Sequence, residues 1–152
     1  MNLSQQTKLT TTCGGDVEGD HTWPSKLPGT QVKSWDELSS FFSDQVKSDG
    51  EGKFVFILFY FSWCKSCMKD YPMFQNSWGN ALVNYPNEVS FIKVDLDDKG
   101  DLLKYFRVNH SPTFAYIGTG GAGKTIYYQK SNGVLNESNI GKFIDAKIKE
   151  NS

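Results

Sequence analysis

Phe54-Val55-Phe56-Ile57-Leu58-Phe59-Tyr60-Phe61-Ser62-Trp63-Cys64-Lys65-Ser66-Cys67 is the stretch on which the fold turns. From Phe54 to Phe61 it is apolar, β-branched and aromatic without alternation, the pattern of a central strand buried on both faces. Ser62 and Trp63 break the run. Beyond them the spacing predicts a helix to about Asn84, with Pro72 inside it as a kink. Two cysteines therefore sit where a buried strand hands over to a helix, and thiol chemistry benefits from that place. The reacting species is the thiolate, and a helix N-terminus favours negative charge through its N–H groups and dipole. Cys64, at the helix tip, is expected to be exposed and nucleophilic. Cys67, one turn in, is expected to be shielded and to resolve the mixed disulfide. Two structural cysteines, or half of a zinc site, are the other readings of a C-x-x-C. Its placement between strand and helix favours redox chemistry.

Upstream, Gln31 to Lys33 reads as a short strand. Ser34 with Glu37 has the form of a capping box and opens a helix carrying Trp35, Leu38, Phe41, Phe42 and Val46 at helical spacing, ended by Asp49, Gly50 and Gly52. Downstream, Val89 to Asp95 is a second buried strand and Asp101 to Phe106 a short helix. Thr113 to Ile117 and Thr125 to Gln129 are strands on either side of a glycine-rich turn. Gly133 marks a bend. Asn136 caps a last helix that presents Ile140, Phe143, Ile144 and Ile148 on one face. The order βαβαβαββα is α/β, with a central mixed sheet flanked by helices.

Residues 1–29 are polar, broken by Pro24 and Pro28, and are expected to form a flexible N-terminal extension, with Trp23 packing onto a domain spanning 30–152. Three cysteines are too few for a disulfide scaffold. A net charge of −1 gives no electrostatic reason to expect nucleic acid or an anionic membrane as partner. No apolar run reaches the ~18 residues of a membrane span, and the N-terminal stretch lacks the apolar segment of an intact secretory signal. The cytoplasm is the expected compartment, with the secretory lumen as the alternative. Sequons at Asn2, Asn109 and Asn136 arise easily in a chain rich in Ser, Thr and Asn and carry little weight.

From Thr30 onward the chain resembles the thioredoxin family, over about residues 31 to 149. Phe59 to Cys67 looks like that family's active-site strand and loop, and Pro72 falls where the family kinks its active-site helix. Ser111-Pro112-Thr113 looks like its cis-proline loop, Lys93 like a lysine beneath the active site, and Gly133-Val134-Leu135 like the segment lining the substrate groove. Asp97 and Pro112 keep the family's spacing. The resemblance implies a thioredoxin fold. It implies a thiol–disulfide oxidoreductase with Cys64 and Cys67 catalytic, and Trp63, Lys65, Ser66, Ser111, Pro112 and Gly133 forming the substrate groove. It implies protein disulfides or dithiols as substrates, a reductase or small thiol as electron source, a monomer, and neither bound cofactor nor metal. Among X–Pro bonds, which alone go cis cheaply, Ser111–Pro112 is expected to be cis.

Two departures matter. The family's buried carboxylate six residues before the first cysteine is Leu58 here, and the usual Gly-Pro between the cysteines is Lys65-Ser66. The first keeps a second reading open: a binding or chaperone module that uses the same groove with little redox turnover. Together the two changes favour the thiolate at Cys64. They predict a potential less negative than the ~ −270 mV of thioredoxin, at about −200 to −230 mV.

Gly118-Thr119-Gly120-Gly121-Ala122-Gly123-Lys124-Thr125 satisfies G-x-x-x-x-G-K-[ST]. A phosphate loop must open a helix. The residues after Thr125 are instead the β-prone Ile126-Tyr127-Tyr128-Gln129, so a hairpin turn is expected. His110, two residues before Pro112, would lie near the active site as a contact to the thiolate or substrate, or as an exposed loop histidine; a zinc site of Cys64, Cys67 and His110 lacks a convincing fourth ligand, because His21 and Cys13 fall in the N-terminal stretch. Cys13 reads as an exposed thiol.

Overall fold

The structure, a computed structural model, describes residues 21–45, 54–97, 102, 106, 108, 111–119, 126–130 and 135–150; of 41–45, 118–119 and 126–130 it describes the backbone alone. A short 3₁₀ turn, Trp23–Lys26, leads into strand β1 (Thr30–Gln31). Helix α1 (Trp35–Gln45), strand β2 (Phe54–Tyr60), helix α2 (Lys65–Asn84), strand β3 (Val89–Asp95), strands β4 (Thr113–Thr119) and β5 (Ile126–Lys130), and helix α3 (Glu137–Glu150) come next along the chain. Leu102 and Phe106 are helical and buried, where the short helix is expected.

The sheet has five strands in the order β1-β3-β2-β4-β5. β1, β3 and β2 run parallel, and β4 and β5 add antiparallel to β2 and to each other. Helical crossovers connect the parallel strands, and a hairpin joins β4 to β5, as the two kinds of ladder require. β2 is therefore central, paired on both edges, and from Val55 to Tyr60 it is buried throughout. Its unbroken apolar run follows from that position, because helices cover both faces. Phe56 contacts Phe91, Phe114, Tyr116 and Phe143, and Trp78 of α2 stacks on Phe91 with centroids 4.5 Å apart. Each such pair adds roughly 0.5–1.5 kcal/mol beyond the area it buries.

The helix signals read from the sequence operate. Ser34 Oγ accepts from Glu37 N at 3.1 Å, and Glu37 Oε2 accepts from the amide of Lys33 at 2.7 Å, one residue before the position a capping box uses. Asn136 Oδ1 accepts from Asn139 N at 2.8 Å and so caps α3. Along α3, Ile140, Ile144 and Ile148 are buried. Pro72 lies within α2. β4 pairs antiparallel with β5 from Ala115 opposite Lys130 to Thr119 opposite Ile126. A strand, not a helix, thus comes after Thr125, and the phosphate-loop lookalike bridges a hairpin.

The boundary expected at residue 30 is corrected. Trp23 and Leu27 are 2% and 3% exposed and belong to the core. Trp23 packs edge-on against Tyr60 at 5.1 Å and stacks on Tyr71 at 5.5 Å, and Lys26 lies over the Tyr71 ring. Gly29 closes the approach to β1 with φ 116°, and a Cβ there would meet the Phe91 carbonyl oxygen at 2.7 Å, so only glycine fits. Packing thus begins by Trp23; residues 1–20, with Cys13, lie outside the described residues.

Candidate active site

The active-site turn grows out of the end of β2. Phe61 O accepts from Cys64 N at 3.1 Å, and Cys64 O accepts from Met68 N at 2.9 Å, which starts α2. Cys64 is the N-cap, with extended backbone (φ −71°, ψ 128°), and the first turn of α2 carries Lys65 and no acidic residue. The positive end of the helix dipole is therefore not offset by a carboxylate in that turn. Cys67, one turn on, hydrogen-bonds to the Cys64 sulfur, and both are thiols.

Two tryptophans hold the turn. Trp63 stacks on Phe61 at 4.6 Å, and its Nε1 donates to Asp97 Oδ2 at 2.7 Å; Asp95 Oδ1 in turn accepts from the Asp97 amide at 2.9 Å. From the other side Trp23 Nε1 donates to the carbonyl of Ser62 at 2.7 Å. Beneath them, Lys93 lies opposite Leu58 in the β2–β3 ladder. Its buried ammonium donates to Pro24 O at 2.8 Å and Leu27 O at 3.0 Å. Burial pushes its pKa below the usual lysine value. Leu58 is fully buried, so the amine is held by two main-chain carbonyls where the resemblance implies a carboxylate nearby. Gln31 extends the same network: its Nε2 donates to Lys93 O, and its Oε1 accepts from the Tyr60 hydroxyl.

The loop entering β4 closes over the sulfurs. The Ser111–Pro112 peptide bond is cis. Ser111 Oγ accepts from the Phe61 amide at 3.2 Å and lies 3.2 Å from Cys67 Sγ, and the Ser111 carbonyl faces Cys64 Sγ at 4.0 Å. The Cys67 thiol is pushed far above the ordinary thiol range, first by its hydrogen bond with Cys64, then by burial and by the charge Cys64 would bear. The Ser111 hydroxyl and the Phe61 amide pull it back.

The sequence-predicted residues thus divide. Trp63, Cys64, Cys67, Ser111 and Pro112 converge on one spot, Ser66 is half-buried beside them, and Lys65 is exposed. Cys64, expected to be exposed, is 0% exposed and Cys67 1%. The correction lies in the Ser111 loop, which is seated against both sulfurs. Gly133 and His110 lie outside the described residues. Sequence reasoning missed the roles of Trp23 and Asp97 as supports of the turn. The signal for Trp23 was local, a Trp-Pro pair with proline suited to the first position of a helical turn. Asp97 stood out by its spacing to Pro112, but nothing local in the sequence paired it with Trp63.

The geometry has relatives. The chain is 34% identical over 79 residues to thioredoxin of Ictalurus punctatus, covering 52% of this chain and 70% of that protein. It is 33% identical over 89 residues to thioredoxin of Gallus gallus, covering 59% and 78%. It is 30% identical over 102 residues to protein disulfide-isomerase A2 of Homo sapiens, covering 67% of this chain and only 18% of that longer protein. Among solved structures, the Trx4 domain of ERdj5 superposes with a TM-score of 0.59 at 17% identity, over 82% of this chain and 98% of that one. Such an identity speaks for the fold alone. The thioredoxin family profile matches residues 34–146, a span that holds the cysteine turn, the Ser111 loop and the sheet that joins them, and the chain belongs to the thioredoxin family.

Proposed function

We propose that the chain exchanges disulfides with protein substrates through Cys64 and Cys67. The observation that carries this reading is the pair of thiols at the start of α2, hydrogen-bonded to each other and covered by Ser111. The Cys64 thiolate attacks one sulfur of a substrate disulfide. The substrate S–S bond breaks, its second sulfur leaves as a thiolate and takes up a proton, and Cys64 is joined to the substrate. Cys67 then attacks Cys64 Sγ; the mixed disulfide breaks, the substrate leaves as a dithiol, and Cys64–Cys67 becomes the disulfide. A reductase or small thiol resets the pair. Thiolate supply governs the first step, and the α2 N-terminus with Lys65 beside it supports that supply. The groove substrates enter is formed by Trp63, Lys65, Ser66, Ser111 and Pro112.

A second reading, a binding or chaperone module with little turnover, is favoured by one observation: Cys64 and Cys67 are 0% and 1% exposed, so the resting structure presents no free sulfur to a substrate. Reduction of insulin disulfides by dithiothreitol, with and without catalytic amounts of the chain, separates the two. Acceleration supports exchange. Its absence, with insulin still bound, supports the module.

A further inference from the structure

A buried resolving thiol needs a group that holds its thiolate during attack, and position 58, where the family resemblance implies a carboxylate, is leucine. We propose that the side-chain hydroxyl of Ser111 performs this task, as the donor that stabilises the Cys67 thiolate while it attacks the mixed disulfide. Such a role rests on the exchange reading above.

A serine hydroxyl has one hydrogen and two acceptor positions. The Phe61 amide donates to Ser111 Oγ at 3.2 Å and occupies one acceptor position. Cys67 Sγ is 3.2 Å away on the same oxygen, a separation at which either atom serves as donor. While Cys67 is a thiol, its S–H can donate to the second acceptor position. When the proton leaves, the hydroxyl rotates and its hydrogen points at the sulfur. One hydroxyl thus partners both protonation states without moving a heavy atom, which a carbonyl or an ammonium cannot do. The pair is buried, with Cys67 1% and Ser111 3% exposed, and a charge-assisted bond counts for most in such a place. The step balances: Cys67 gives up its proton and forms the bond to Cys64 Sγ, the bond from Cys64 to the substrate sulfur breaks, and that sulfur leaves as a thiolate whose uptake of one proton matches the one Cys67 gave up. Two electrons pass from the Cys64–Cys67 dithiol to the substrate disulfide, and no other reductant enters. Ser111 touches a reacting atom and is in this sense catalytic, besides its place in the groove.

The experiment is a single-turnover reaction of the reduced chain with insulin, quenched in acid and resolved by mass into mixed disulfide and Cys64–Cys67 disulfide. Ser111→Ala keeps the main-chain carbonyl that faces Cys64, so the loss falls on the second step. The mixed disulfide accumulates, and its conversion slows about tenfold or more, the scale of a hydrogen bond to a charged group. Ser111→Thr restores the hydroxyl and brings conversion back towards the wild-type rate. Circular dichroism and the urea midpoint of each variant report that it is folded. If Ser111→Ala converts as fast as wild type, or Ser111→Thr is as slow as Ser111→Ala, the assignment to the hydroxyl is overturned and the exchange reading stands. If the wild-type chain forms neither species, the exchange reading falls and the role of Ser111 with it.

Discussion

Trp23 Nε1 donates a 2.7 Å hydrogen bond to the carbonyl of Ser62, and so ties a turn ahead of the first strand to the residue that begins the cysteine loop. The contact joins residues 39 positions apart and links stability to the site. Removing the side chain should therefore cost both. Trp23→Ala, which empties a core position against Tyr60 and Tyr71, should destabilise the chain by about 3–5 kcal/mol. Trp23→Phe keeps a ring and loses the bond to Ser62, and should cost about 1 kcal/mol. Urea unfolding midpoints measure both. A Trp23→Ala midpoint equal to that of wild type would mean that the turn is not part of the folded unit.

Lys93 gives a pH dependence whose sign is fixed by its burial. Its folded pKa is lowered, while the unfolded chain keeps the ordinary value of about 10.4. Below the lowered pKa both states hold the proton. As pH rises through it the folded chain gives the proton up first, the unfolded chain binds more protons, and stability increases towards pH ~10.4. Tyr85 works the other way, since its hydrogen bond to Asp145 raises its pKa, but it is common to wild type and variant. The stability of wild type relative to Lys93→Met should therefore climb between the lowered pKa and about pH 10.4. A flat difference would contradict the buried ammonium.

The potential of the Cys64–Cys67 pair should lie at about −200 to −230 mV, less negative than the ~ −270 mV of thioredoxin. Lys65 is exposed at the helix tip, so its share should be small and sensitive to salt. Lys65→Glu should move the potential to a more negative value, by an amount that shrinks as ionic strength rises. Equilibration in glutathione buffers measures both. A wild-type value at or below that of thioredoxin would contradict the favoured Cys64 thiolate.

Lys124 tests the phosphate-loop lookalike. Because β4 and β5 pair antiparallel on either side of it, Lys124→Ala should leave disulfide exchange unchanged and stability within about 0.5 kcal/mol. ATP binding by isothermal calorimetry that this substitution abolishes would overturn the hairpin reading.

How much of this was legible in the sequence depends on distance along the chain. The central strand, the start of α2, the Ser34 and Asn136 caps and the β4–β5 hairpin follow from residues within a few positions of one another, and they lie where the sequence places them. The thiol pair was legible for the same reason. The features that escaped depend on long-range contacts. The packing of Trp23 onto the domain was expected, but its hydrogen bond to Ser62, 39 positions away, was not. The resemblance placed the Ser111 loop at the groove, but not the seating of the Ser111 carbonyl 4.0 Å from the sulfur of a fully buried Cys64. Lys93 was legible as a residue beneath the site, but the carbonyls of Pro24 and Leu27 that hold it belong to the same hidden turn.

The central claim is that Cys64 attacks and Cys67 resolves, and trapping tests it most directly. In Cys67→Ser the resolving sulfur is gone, so the chain should accumulate as a mixed disulfide with insulin, linked through Cys64 and identified by mass after tryptic digestion. Cys64→Ser should form no such adduct and lose exchange. A Cys64→Ser variant that keeps near-normal exchange, or an adduct found on Cys67 in the wild-type chain, would contradict the assignment.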